Sequence, residues 1–168
     1  PLLPSRSAPR RSFGRWLLAG AGAMLRLAAP PARAQRGTAA LERRVKAAFL
    51  YKFLGHTEPP GRAFADAGSP ITIGVVGSDA MTAELENIVS GRTINNRPVV
   101  IRQFREGEIA ATVHLLFVAG SEPARVGRVL RAAPNAMLLV SECEDGLQHG
   151  SIINFRIVDE RVRFDVSL

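Results

Sequence analysis

Four short runs rich in apolar residues, separated by stretches of helical periodicity, constrain this chain more than any other feature. They cover residues 71–77, 98–104, 114–118 and 137–140. The first, third and fourth are brief and rich in β-branched or large aliphatic side chains, the pattern of strands covered on both faces, while the second, which holds Arg102 and Gln103, reads simply as a strand. Between the first two, Met81, Leu85, Ile88 and Val89 repeat at helical spacing behind Ser78 or Asp79 as a cap. Between the last two, Val126, Val129 and Leu130 form a stripe behind Gly120-Ser121-Glu122-Pro123, with Ser121 as the expected cap and Pro123 in the first turn. Asn95-Asn96-Arg97 reads as a turn into the second strand, and residues 106–111 as a short helical turn. Strands joined through helices require right-handed crossovers and a parallel sheet. Residues 151–157 and 162–166 then alternate with period two around Asp159-Glu160-Arg161, a closing hairpin. The expected fold is α/β: a single domain with a mainly parallel sheet, helices on both faces and a C-terminal antiparallel hairpin. The 168 residues suffice for one such domain and are few for two.

A helix is expected to open the domain at residue 38, with Leu41, Val45, Ala48, Phe49 and Phe53 as its apolar stripe. Gly55 can stop it, and Pro59-Pro60-Gly61 enforces a loop to about residue 69. Ahead of this helix the chain reads as an address. Arg6, Arg10, Arg11 and Arg15 precede an apolar run over 16–29, interrupted by Arg26, that ends in Pro30-Pro31-Ala32-Arg33-Ala34. This is an export signal over 1–34 with cleavage expected after Ala34. A 14-residue helix spans about 21 Å, short of a hydrocarbon core of roughly 30 Å, so no stable membrane insertion is expected. Arg10-Arg11-Ser12-Phe13-Gly14-Arg15 resembles a twin-arginine signal, which leaves the route open between the two exporters.

Charge location decides how the formal net charge of +7 is read. The leader holds Arg6, Arg10, Arg11, Arg15, Arg26 and Arg33 and no acid, leaving residues 35–168 almost neutral. The basic, aromatic-lined face that nucleic acid requires does not follow from this sequence, and no nucleic-acid partner is expected. A single cysteine, Cys143, excludes an intrachain disulfide, four-cysteine zinc motifs and Cys-x-x-Cys redox chemistry. His56, His114 and His149 are scattered and lack metal-ligand spacing, and Glu142-Cys143-Glu144-Asp145 reads as a solvated acidic loop, so no metal site is expected. Cys143 has His149 six residues on as a candidate base, but its flanking acids disfavour a thiolate. Ser78 and Ser141 lie in no nucleophile elbow. Gly74-Val75-Val76-Gly77-Ser78-Asp79 sits where phosphate loops sit, yet lacks a third glycine and a P-loop lysine. No catalytic residue and no cofactor are expected. The one ligand-binding alternative is a solute held beside Gly77, Ser78 and Gly120 at the strand ends.

Three segments, in order, resemble the YfiR/HmsC-like family of small periplasmic proteins. They are Val45-Lys-Ala-Ala-Phe-Leu-Tyr-Lys-Phe53; the unit from Ile73 to Asp79 with Gly91 to Pro98; and His114 to Val118 joined to Gly150-Ser-Ile-Ile-Asn-Phe155 and Arg161-Val-Arg-Phe-Asp-Val-Ser-Leu168. The resemblance covers residues 44–168, so that 35–168 would be a YfiR-like domain. It implies a non-catalytic regulator in the periplasm that restrains an inner-membrane diguanylate cyclase, lowering cyclic-di-GMP and biofilm formation, and, as many members pair, a homodimer. Its partner surface would lie around Tyr51, Phe53, His56 and Glu58, with core packing as the competing role for Phe53. The chain departs from the family pattern at Val113, usually cysteine, and at Ser151, usually the second glycine of a pair. The tryptophan of the family loop that 55–60 resembles is also missing. The opening Pro1 and the end at Leu168, where relatives continue into a C-terminal helix, read as a truncated copy with part of its sheet uncovered.

Overall fold

A computed structural model describes residues 32–57, 64–66, 68–109, 113–133 and 138–167. The leader over 1–31, Glu58, the Pro59-Pro60-Gly61 loop and Met137 lie outside the described residues.

The apolar runs form the centre of one seven-stranded sheet: β1 (Ile71–Val76), β2 (Thr93–Ile94), β3 (Arg97–Phe104), β4 (Leu115–Val118), β5 (Leu138–Ser141), β6 (Ile153–Val158) and β7 (Arg161–Val166), in the order β2-β3-β1-β4-β5-β6-β7. Strands β3, β1, β4, β5 and β6 are parallel, and β6–β7 and β2–β3 are antiparallel. The most apolar run, β4, lies in the middle with every residue buried. Helices α1 (Ala32–His56) and α2 (Asp79–Val89) cover one face, where Ile73, Val75, Leu115, Phe117, Val140 and Phe155 meet Ala47, Leu50, Leu54, Met81 and Leu85. Helix α3 (Pro123–Ala132) covers the other with Val126, Val129 and Leu130 on Val76, Leu116 and Val118. The expected architecture is the observed one. No helix among the described residues is long and apolar enough to cross a membrane.

Several local expectations are corrected. Helix α1 starts at Ala32, six residues before the expected position, and runs one residue past Gly55. Its buried line is Lys46, Ala47, Leu50 and Leu54, while Leu41 is 63% exposed and Val45, Phe49 and Phe53 lie half-buried on its flank. A stripe chosen by hydropathy cannot place a lysine at the centre of a buried face. The cap of α3 is Glu122 rather than Ser121, with Pro123 as first helical residue, and Glu122 makes no capping hydrogen bond. Residues 106–109 form no helix: Gly107, at φ +85°, turns the chain and Glu108 N–H donates to Arg105 C=O. The Asn95-Asn96 turn carries a short strand, β2, that the sequence reading lacks; both asparagines are left-handed, as a two-residue hairpin of this twist demands. Asp159 and Glu160 adopt the same conformation between β6 and β7 without glycine.

The loop after β5 is fixed by a buried polar knot. Ser141 Oγ donates to Asn154 Oδ1 at 2.7 Å, and Asn154 Nδ2 donates to Cys143 C=O at 2.9 Å. Gly146 presses on it so closely that a Cβ there would lie 2.2 Å from both Asn154 Oδ1 and Ser141 Oγ. Gly146→Ala is therefore expected to destabilise the fold by about 2–3 kcal/mol in urea unfolding, through overpacking and a broken buried hydrogen bond. Ser151 is the converse case: it is 3% exposed and its hydroxyl has no hydrogen-bond partner among the described residues. Ser151→Ala is expected to raise stability by up to about 1 kcal/mol in the same measurement.

Candidate functional site

Parallel α/β sheets offer a binding crevice at the carboxyl ends of the two strands from which the chain departs in opposite directions. Here those strands are β1 and β4: β1 continues through α2 to β3 on one side, and β4 continues through α3 to β5 on the other. Gly77, Ser78 and Gly120 stand at their ends, and Ala119 N–H donates to Val76 C=O at 2.9 Å, so the structure brings all three together. Their local chemistry is already committed. Ser78 Oγ accepts the Met81 N–H as the cap of α2, at 3.1 Å. Gly120 N–H donates to Glu142 Oε1, also at 3.1 Å. Arg125 donates to Ala119 C=O at 2.8 Å, and its guanidinium lies where a Cβ on Gly77 or Gly120 would come within 2.9 Å of it. Glu106 pairs with Arg125 from outside.

Helix α1 closes the crevice from above. Lys46, 6% exposed, donates to Glu142 Oε2 at 2.7 Å and to Glu42 Oε1 at 2.5 Å. Burial alone would lower the pKa of this ammonium, but the hydrogen bonds and charges of Glu142 and Glu42 outweigh it and hold it above the ordinary value. Beside these groups lies a cavity of about 130 Å³, lined among others by Glu42, Lys46, Ser78 and Glu142. Ligand pockets for organic solutes run to roughly 300 Å³ and upward and are mostly apolar. Lys46, Glu42 and Glu142 form an ionic latch across this crevice. Glu142, expected in a solvated loop, instead holds Lys46 and the Gly120 N–H, while Lys46 and Arg125 are not among the residues the sequence singles out; the i, i+4 spacing of Glu42 and Lys46 is the one signal available, and it is common on any helix.

The residues expected to form a partner surface separate. Tyr51 leans toward β2, its hydroxyl donating to Thr93 C=O at 3.4 Å with Arg92 over its ring. Phe53 leans the opposite way, its ring 5.0 Å from Phe164 and 6.0 Å from Phe155. His56 is exposed, its Nδ1 2.8 Å from Lys52 C=O. Tyr51 and Phe53 are both half-buried against the core, His56 is exposed, and Glu58 lies outside the described residues.

Cys143 is buried behind the loop 143–150. Burial pushes its thiol pKa up, and the charges of Asp145 and Glu142 push it further against a partial offset from Ser141. His114 lies at the opposite ends of the strands: its Nδ1 accepts the Thr72 N–H at 3.0 Å, and its ring stacks on Phe64, whose other side carries Arg97 at 3.8 Å. The nitrogen a base or ligand would use is thus engaged. Among the described residues no three His, Cys, Asp or Glu side chains converge as metal ligands.

A family model described as YfiR/HmsC-like matches residues 43–168. No curated protein matches the chain.

The latch gives a pH-dependent prediction. A lysine with a raised folded-state pKa contributes stability that is complete below its unfolded value of 10.5 and is lost as pH rises through the folded value. Lys46→Met is expected to cost about 2 kcal/mol at neutral pH, less than for a fully buried pair because both glutamates keep access to water. Unfolding followed across alkaline pH should show that difference shrinking above 10.5. The loss arising from Cys143 ionisation on unfolding is common to both chains.

Proposed function

The chain belongs to the YfiR/HmsC-like family, and from that membership we propose that it is a non-catalytic periplasmic regulator that binds the periplasmic part of an inner-membrane diguanylate cyclase and holds it inactive. Cyclic-di-GMP, and with it biofilm formation, then depends on whether the complex is intact. The observation that carries this reading is the filled crevice: the place where an α/β sheet of this topology would hold a substrate is occupied by the chain's own Lys46, Glu142 and Arg125. A regulator that works by binding needs a stable body and an outer surface, and differential affinity for one state of its partner is enough to shift that partner. The surface in this reading includes Tyr51, His56 and Glu58 near the C-terminal end of α1.

Export is part of the proposal. Residues 1–34 act as the signal, and cleavage after Ala34 would remove only the first three residues of α1, well ahead of the latch. A homodimer is compatible with this role. The alternative reading, a solute-binding domain at Gly77, Ser78 and Gly120, has weaker support because the remaining space is small and charged.

Cyclic-di-GMP measured in cells co-expressing a candidate cyclase tests the proposal. It is expected to fall when the exported chain is present, and to recover when residues 1–34 are deleted. His56→Ala, at an exposed position, is expected to weaken the effect without changing the amount of protein. No fall, with the chain recovered soluble from the periplasm, would overturn the proposal for that cyclase.

A further inference from the structure

The sheet ends at β7, whose outer edge is paired with no strand among the described residues. In a two-residue hairpin the residues flanking the turn exchange backbone hydrogen bonds, here Val158 and Arg161. Alternation along the ladder then turns the backbone groups of Arg163 and Asp165 inward to β6, and those of Val162, Phe164 and Val166 outward to the free edge. The same three residues direct their side chains to the face covered by α1, where Phe164 is 38% and Val166 46% exposed. Edge strands are usually blunted by charged side chains, lysine above all, by proline or by a bulge. Over its six residues β7 has no proline, lysine or bulge, and its three charged residues, Arg161, Arg163 and Asp165, all alternate to the face away from α1.

Two features beside this edge specify what would fit. On the α1 face a cleft of about 440 Å³ opens between Leu41, Val45 and Phe49 on the helix and Ile157 and Val162 on the hairpin. Its surface is mostly apolar, with Glu42, Glu160, Arg161 and Arg163 also bordering it, and Leu41 stands largely exposed at its rim. On the opposite face of the sheet, Arg156, Arg161 and Arg163 share one side, and Arg163 lies directly across from Arg156. Like charges in that position oppose pairing. Asp165 answers Arg156 at 2.8 Å, while Arg161 and Arg163 have no acidic partner among the described residues. A strand added to β7 would place alternate side chains against the apolar cleft and the others beside these two arginines.

We infer that the free edge of β7 is a docking groove for an extended segment of a partner protein whose residues alternate apolar and acidic. The segment adds to the sheet as an eighth strand, its backbone bonding to Val162, Phe164 and Val166, its apolar residues covering Leu41 and Phe164, and its acids facing Arg161 and Arg163. This deepens the regulator reading, on which it rests for the existence of a protein partner, and it adds a surface separate from that at Tyr51 and His56.

The probe is a labelled eight-residue peptide alternating valine and glutamate, followed by fluorescence anisotropy with the whole chain and compared with a peptide alternating valine and lysine. The glutamate peptide is expected to bind roughly ten-fold more tightly, the sum of two exposed charge pairs gained against two like-charge contacts. Methylating its edge-facing backbone nitrogens should abolish binding. The double variant Arg161→Glu, Arg163→Glu changes two exposed side chains, so the fold should persist, and it should reverse the preference. Equal binding of both peptides, binding of neither, or an unchanged preference in the variant would overturn the inference. So would self-association of the chain through β7 that excludes the peptide, which would assign the edge to a second copy. The assay contains no cyclase, so its failure leaves the cyclic-di-GMP result standing, and the reverse also holds.

Discussion

The position of α1 across the sheet depends on one buried ammonium. Lys46 sits between Glu42 on its own helix and Glu142 beyond β5, and Glu142 in turn holds the Gly120 N–H at the end of β4. The apolar contacts supply most of the energy: burying Leu50 and Leu54 contributes roughly 2 kcal/mol each, whereas a desolvated ion cluster nets little once its hydration is lost. What the cluster contributes is register. An apolar helix face can slide or rotate on an apolar sheet at small cost, but a slide of one turn would leave Lys46 without the Glu142 carboxylate. With Lys46 pinned, Tyr51 reaches β2 on one side and Phe49 and Phe53 reach Phe164 on the other, so one helix spans the width of the sheet.

This constraint has a functional consequence. A doubly covered parallel sheet ordinarily keeps an opening at its switch point, and in this chain the latch and Arg125 take that space. In the proposed reading recognition falls to peripheral surfaces: the C-terminal end of α1, and the hairpin, whose inner residues Ile153 and Phe155 are buried while its outer strand is not. A protein that acts by binding another protein can use such surfaces without moving its core.

Much of the fold could be read from the residues. The apolar runs at β1 and β4, the β-branched start of β3, the alternation in β6 and β7, and the asparagine turn each obey a local rule that tertiary packing did not override. The misreadings share a physical cause. Leu41 was expected in the core and Lys46 was not considered for it, because hydropathy scores a side chain alone, whereas the cost of burying Lys46 is cancelled by Glu142, 96 positions away. Ser121 was a better cap by residue type than Glu122, but Pro123 takes the first helical position and thereby makes its predecessor the cap. The pair Tyr51 and Phe53 looked like one surface because the two are near in sequence; positions two apart on a helix lie on opposite flanks. The filled crevice could not be foreseen, since its three charged residues come from α1, α3 and the loop after β5.

The claim at the centre of this account is that the chain binds through its outer surface and keeps its crevice shut. Hydrogen exchange, measured on the chain alone and with the periplasmic portion of a candidate diguanylate cyclase, addresses it most directly. The account predicts new protection along residues 161–166 and the neighbouring turns of α1, with the Gly120 amide slow to exchange in both states. Protection confined to residues 77–78 and 119–121, or a Gly120 amide that exchanges freely in the unbound chain, would contradict it.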